Sequence, residues 1–152
     1  MDIVVHPSLA AIDAGQWNAL LPGNNPFMRH EFLNGLELCG CVSKHNGWEP
    51  AHIAAYLSGT LLGAMPCYIK SHSYGEYIFD WSWADAHHRH GLDYYPKLSN
   101  AVPFTPATGE RWLISDKADS EAVTAALMNQ VKELLKDREL SSFHSLFLTA
   151  EQ

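Results

Sequence analysis

Seventeen residues, Lys70 to Ala86, carry four charged side chains, two Trp, two Tyr, a Phe and a His. A surface loop has no packing reason to be so aromatic, and a core strand no reason to be so polar. Large rings with polar handles, mixed with acids and bases, suit the lining of a cleft for a polar ligand. The set also holds side chains that could take up a proton and donors that could stabilise a developing negative charge. Glu76, Asp80 and His72 are the candidate catalytic residues, with Asp85 a further acid. Lys70, Tyr74, Trp83, Asp85, Tyr95, Lys97 and Thr105 are the candidate substrate-binding residues. The competing reading is a hydrogen-bonded network that holds a loop in place, with the rings serving as core.

Other chemistry is less well supported. His87 and His90 share a helix face, but no H-E-x-x-H pattern accompanies them, and His near a helix C-terminus is favoured by the dipole. No metal site is expected. Cys39 and Cys41 in C-G-C form a redox or metal pair only as the lesser alternative to reduced, buried structural cysteines. A G-x-S-x-G elbow and a P-loop are both missing from the sequence.

The elements that must position these residues follow from periodicity and punctuation. Ile3–Val5 predicts a short strand, and Asp13 caps a helix that Pro22-Gly23 stops. Asn25-Pro26 opens a second helix that ends near Gly40. Alternation around Ser58-Gly59 predicts a hairpin over residues 53–65. Phe79–His90 is read as a helix, Lys97–Phe104 as a strand and Thr105–Gly109 as a loop. Asp119 or Ser120 caps the clearest helix, with Val123, Leu127, Val131, Leu134 and Leu135 as its buried stripe, and Phe143–Leu148 is a last strand. That order predicts an α/β (α+β) protein with helices against a mixed, centrally antiparallel sheet.

At 152 residues, 47% hydrophobic and 18% charged, the chain has the makings of one folded domain over residues 1–152. A net charge of −7 disfavours DNA or another nucleic-acid backbone as a non-specific partner. The longest apolar run, residues 53–69, is broken by Ser58-Gly59-Thr60 and Pro66, so neither membrane insertion nor a leader is expected, and the location is read as cytoplasmic.

Several stretches resemble Fem-like predicted N-acyltransferases of the peptidoglycan biosynthesis/recognition type: NPFMRHEFLNGLE (Asn25–Glu37), GWEPAHI (Gly47–Ile53), PCYIKSHSYGEYIFDWSWADA (Pro66–Ala86), YYPKL (Tyr94–Leu98) and VPFTPATGERWL (Val102–Leu113). The element order also resembles the acetyltransferase fold called GNAT, whose central helix N-terminus cradles a cofactor pyrophosphate. The resemblance implies transfer of an acyl or aminoacyl group to an amine of a peptidoglycan precursor or peptide, with acyl-CoA or aminoacyl-tRNA as donor in the complete protein. Fem-like proteins carry a second GNAT-like domain, so it further implies the N-terminal half of such a protein, with a small-molecule or peptide substrate. The alternative is a non-catalytic ligand-binding module, or one that forms a homodimer through an exposed sheet edge. Pro103 and Pro106 offer no amide where a phosphate cradle would need one, so acetyl-CoA is expected to bind weakly.

Overall fold

The computed structural model describes residues 1–150; Glu151 and Gln152 of the expected 1–152 domain lie outside the described residues. Its spine is one long hairpin. The first arm is β2 (Trp48–Pro50) and β3 (His52–Leu57); the second is β4 (Thr60–Met65) and β5 (Cys67–Lys70). Ser58 and Gly59 both take positive φ, 49° and 81°, as a tight two-residue hairpin turn requires. The pairing register runs unchanged through the interruptions at Ala51 and Pro66: Ile53 faces Met65 on one side, and Pro50 faces Tyr68 on the other.

Pro66 is where the hairpin changes ladders. It has no N–H to give, and its carbonyl accepts from Asn100 Nδ2 at 2.9 Å instead. Before it, β1 (Asp2–His6) and β7 (Leu113–Ile114) complete the order β1-β3-β4-β7. Beyond it, β6 (Lys97–Asn100) and β8 (Phe143–Ser145) complete β2-β5-β6-β8. Every pairing is antiparallel except β6 with β8. The expected mixed, centrally antiparallel sheet is borne out.

The two faces of the sheet are covered by different helices. α4 (Ser120–Asp137), capped by the Asp119 carboxylate on Ala122 N, lays Val123, Leu127, Val131 and Leu134 on Ile53, Ala55, Met65, Cys67 and Ile69. Each such side chain, when buried, contributes about 1.5–3 kcal/mol. Gly63 permits that approach, because a Cβ there would sit 2.5 Å from Val123 Cγ1. On the other face, α1 (Ala14–Ala19) and α2 (His30–Leu38) bury Trp17 and Leu33 over Ala54, Leu61 and Ala64. α3 (Trp81–Arg89) buries none of its residues and stands away from the core. Among the described residues, no helix is long and apolar enough to cross a membrane.

Three expected boundaries shift, each for a local reason. The strand expected over Lys97–Phe104 ends at Asn100, whose side chain is fastened to the carbonyls of Pro66 and Arg111. The last strand stops at Ser145 rather than Leu148, because the Leu146 carbonyl accepts from the Arg111 guanidinium. The helix expected from Asn25-Pro26 divides into a 3-10 turn, Pro26–Met28, and α2, separated by an extended Arg29.

Candidate ligand-binding site

Strands β5 and β6 place Lys70 opposite Lys97 and Tyr68 opposite Ser99. Two lysines face to face repel, so something must neutralise them. Residues 71–80 do this by folding back over the strands. Lys97 Nζ donates to Glu76 Oε2 at 2.9 Å and to Asp80 Oδ2 at 2.6 Å, and Ser99 Oγ donates to Glu76 Oε1 at 2.5 Å. Tyr94 and Tyr95 hydroxyls donate to the two Asp80 oxygens at 2.8 and 3.1 Å. All four carboxylate oxygens are engaged, and Lys97, Glu76 and Asp80 are buried.

The electrostatics follow from this packing. Burial alone would raise the Asp80 carboxyl, but the bonds from Lys97 and Tyr94 outweigh it and hold the group at about 2. Burial pushes the Tyr95 hydroxyl up to about 12 and the Tyr94 hydroxyl higher still. Lys70 is less well served. Its Nζ sits 3.5 Å from the centroid of the Trp48 ring and donates to the Tyr74 carbonyl at 3.2 Å, and burial pulls its amine down to about 7.

The network holds an aromatic rim in place. Tyr74, Tyr77, Phe79, Trp81 and Phe104 line a groove of about 290 Å³ floored by Ser73 and Gly75. Tyr77 and Phe104 adopt φ of 59° and 58°, a left-handed conformation that a bulky residue holds only when its surroundings compel it. Phe104 N donates to Gly75 O at 3.0 Å, and a Cβ on Gly75 would stand 2.7 Å from the Phe104 ring. Groove and network are thus one construction: the buried ion pairs pin residues 73–80, and these present the rings.

The structure brings together six of the expected site residues, Lys70, Tyr74, Glu76, Asp80, Tyr95 and Lys97, and leaves four apart. His72 packs on Gly47 with its Nδ1 accepting from Tyr74 N at 3.3 Å, and burial lowers its pKa. Tyr74 lies on the groove rim, 70% exposed. Trp83 and Asp85 are on the exposed outside of α3, with Asp85 paired to Arg89 at 2.8 Å. Thr105 Oγ1 bonds the Pro103 carbonyl within its own loop. Sequence reasoning missed Trp48, Ser99 and Phe104 as members of this site. Ser99 had a readable signal, since it shares a strand face with Lys97; Trp48 and Phe104 come from distant segments and had none. It also missed a cleft of about 430 Å³ across β5, floored by Ile69 and Leu140, where Lys44 and Arg138 pair with Glu49.

A nucleotide cofactor of the acyl-CoA kind would need free amides at the start of α4. The Asp119 carboxylate occupies Ala122 N there, and Glu121 adds a second anion to the first turn. In the preceding loop, Gly109 N is spent on Phe147 O, and the Arg111 side chain bonds the carbonyls of Leu146 and Ala107. These residues do not fit a pyrophosphate. Among the described residues, no group of three or more His, Cys, Asp or Glu is placed to hold a metal ion.

Comparison with known proteins places this geometry in context. Residues 8–152 match the FemAB-like family, described as peptidoglycan biosynthesis/recognition. Among solved structures, the chain is similar to a ribosomal-protein-alanine N-acetyltransferase from Brucella melitensis biovar Abortus 2308. That likeness has a TM-score of 0.56 at 14% identity, over 99% of this chain and 81% of that one. It is also similar to an aminoglycoside antibiotic 6'-N-acetyltransferase, AAC(6')-IG, from Acinetobacter haemolyticus, with a TM-score of 0.54 at 12% identity, over 95% and 78%. At these identities the likeness concerns the fold, and it bears out the GNAT-like architecture. No curated protein matches the sequence.

Proposed function

The chain belongs to the FemAB-like family, and on that premise we propose that it is an N-acyl- or aminoacyltransferase domain that holds its substrate in the aromatic groove. The observation that carries the reading is that two of the three left-handed aromatic residues among the described residues, Tyr77 and Phe104, meet at the groove, where a buried ion-pair network pins residues 73–80. Such strain survives where the surroundings over-determine it, which points to a role for the rings beyond packing.

The reaction proposed is attack of an amine nitrogen on an acyl carbonyl carbon, with cleavage of the donor's ester or thioester bond and loss of the amine proton. The acceptor is an amine of a peptidoglycan precursor or a peptide. The poor fit of the α4 N-terminus to a pyrophosphate favours an aminoacyl ester, such as aminoacyl-tRNA, over acyl-CoA as donor. Glu76 and Asp80 serve as positioning residues, because each of their oxygens is already bonded. Lys70, Lys97 and Tyr95 complete that support, and Tyr74 forms part of the rim. His72 positions Tyr74 through its ring nitrogen.

The same pairing supports a second reading, a binding module without catalysis of its own, since neither Glu76 nor Asp80 has a carboxylate oxygen free to act as a base. One experiment separates the two. The full chain is incubated with a lysine-containing peptidoglycan stem peptide and aminoacyl-tRNA, and the peptide is weighed by mass spectrometry while Trp fluorescence follows binding. A gain of one aminoacyl group, lost in Trp81→Ala, supports transfer. Saturable binding without a mass gain supports the module, and neither signal overturns both.

A further inference from the structure

β5 alternates, so Tyr68 and Lys70 face the ion-pair network while Ile69 faces α4. α4 stops at Asp137 with Arg138 as its C-cap, and Glu139 reverses the chain at φ of 50°. Leu140 N then bonds Leu135 O at 2.8 Å, and Ser141 N bonds Pro96 O at 2.9 Å. Leu140 joins Ile69 in the floor of the cleft of about 430 Å³, between the helix end and strands β2 and β5. That volume is ordinary for a small-molecule site, about 300–1,000 Å³. The outer wall is the turn after α2, which carries Lys44; Cys39 and Cys41 in the same turn are exposed rather than buried as expected.

A left-handed helix stop is normally glycine, and a side chain there is strained. Here the position holds an acid. With Asp93 and Ser141, Glu139 lines a second hollow of about 250 Å³, and Tyr95, Pro96 and Arg138 line both. The two hollows have opposite polarity. The first carries Lys44 and Arg138 against Glu49, the second Asp93 and Glu139 against Arg138. Glu49 gives one oxygen to each cation, at 3.2 Å and 2.7 Å, and among the described residues neither has another acidic partner. A lysine has three N–H donors and an arginine five, so both keep donors for a ligand.

We propose that the joined hollows bind a dipeptide or tripeptide with both termini free. Its C-terminal carboxylate lies on Lys44 and Arg138, its last, apolar side chain on Ile69 and Leu140, and its ammonium group by Asp93 and Glu139. Arg138 and Glu139 are neighbours, with Cα atoms about 3.8 Å apart, so the cationic and anionic ends meet within the span of such a ligand. A polyanion is repelled, because Glu49, Asp93 and Glu139 outnumber the two cations. A lone carboxylate serves only the first hollow, whereas a zwitterion serves both. The site lies on the other face of β5 from the network. It does not rest on the transferase reading, whose substrate lies in the aromatic groove.

The test is calorimetric titration of the full chain with the dipeptide Ala-Leu, its C-terminal amide and its N-acetyl form. Ala-Leu should bind saturably with a Kd below about 1 mM. Each blocked form should bind at least about tenfold more weakly, the loss of one charge-assisted contact. Arg138→Gln and Lys44→Gln should weaken Ala-Leu by a similar factor without a lower melting point, since both side chains reach solvent. Trp81→Ala should bind Ala-Leu as the wild type does. No saturation by about 10 mM, or equal affinity for either blocked form, overturns the proposal. So does binding that Trp81→Ala abolishes and Arg138→Gln leaves intact, which would put the peptide in the aromatic groove and leave the transferase reading standing. The three peptides on the wild type decide the matter if a variant melts abnormally.

Discussion

Lys70 and Lys97 face one another across β5 and β6, yet only Lys97 has carboxylate partners. Lys97→Met would leave Glu76 and Asp80 buried and uncompensated. Breaking a buried pair in this way costs about 3–5 kcal/mol, so the variant should melt far below the wild type by calorimetry. The Asp80 contribution belongs to a carboxyl held at about 2, below its ordinary 3.8. It is present above pH 4 and lost as pH falls through about 2. In Lys97→Met, acid should therefore cost less further stability over that window. Lys70 has the opposite sign. Its amine is pulled from 10.5 to about 7, so between those values the unfolded chain binds more protons and stability rises with pH. Lys70→Met should remove that rise and stabilise the protein at neutral pH by at least about 1 kcal/mol, roughly 2–4 °C. Thermal melts of both proteins from pH 6 to 10 give the answer, and a lower melting point for Lys70→Met at pH 7 would contradict it.

The start of α4 sets the donor question at the scale of an element. With Asp119 on Ala122 N and Glu121 alongside, a pyrophosphate meets two anions and one fewer amide. Calorimetric titration with acetyl-CoA should show no binding in the micromolar range, and a micromolar isotherm would refute this account of the helix N-terminus. α4 is also the element the sequence announces best, since its cap and apolar stripe lie in consecutive turns. The turn at Ser58-Gly59 and α3, bounded by Asp80 and Gly91, were legible for similar local reasons. β2, β5 and β7 were not. Cys67–Lys70 is buried at every position, so no alternation marks it, and Trp48–Pro50 and Leu113–Ile114 are too short to show a period. Six of the ten expected site residues converge because strands β5 and β6 and the segments that follow β5 and precede β6 carry them. Thr105, Trp83 and Asp85 were chosen by type and proximity in sequence, which says nothing about the direction a side chain takes.

Viewed whole, the molecule hides its charges at the site and shows its rings. Tyr77, Phe79, Trp81, Trp83 and Leu92 are each more than half exposed, on and beside α3, which buries none of its residues. Contiguous exposed apolar surface of this kind favours association. Net charge opposes it: at −7 and a pI near 5.6, copies repel at neutral pH and cease to repel a little below pH 6. His6, His72 and His144 are pushed down by burial and so gain charge late in that descent. Self-association should therefore grow with concentration near pH 5.6 and fade by pH 8. The double variant Phe79→Ser, Trp81→Ser should lose it while changing stability by no more than about 0.5 kcal/mol, because both side chains are largely in solvent. Sedimentation velocity across both pH values measures the first effect, and a thermal melt the second. A variant that associates as strongly as the wild type would move the contact to the sheet edges, where β1 and β8 end the two ladders.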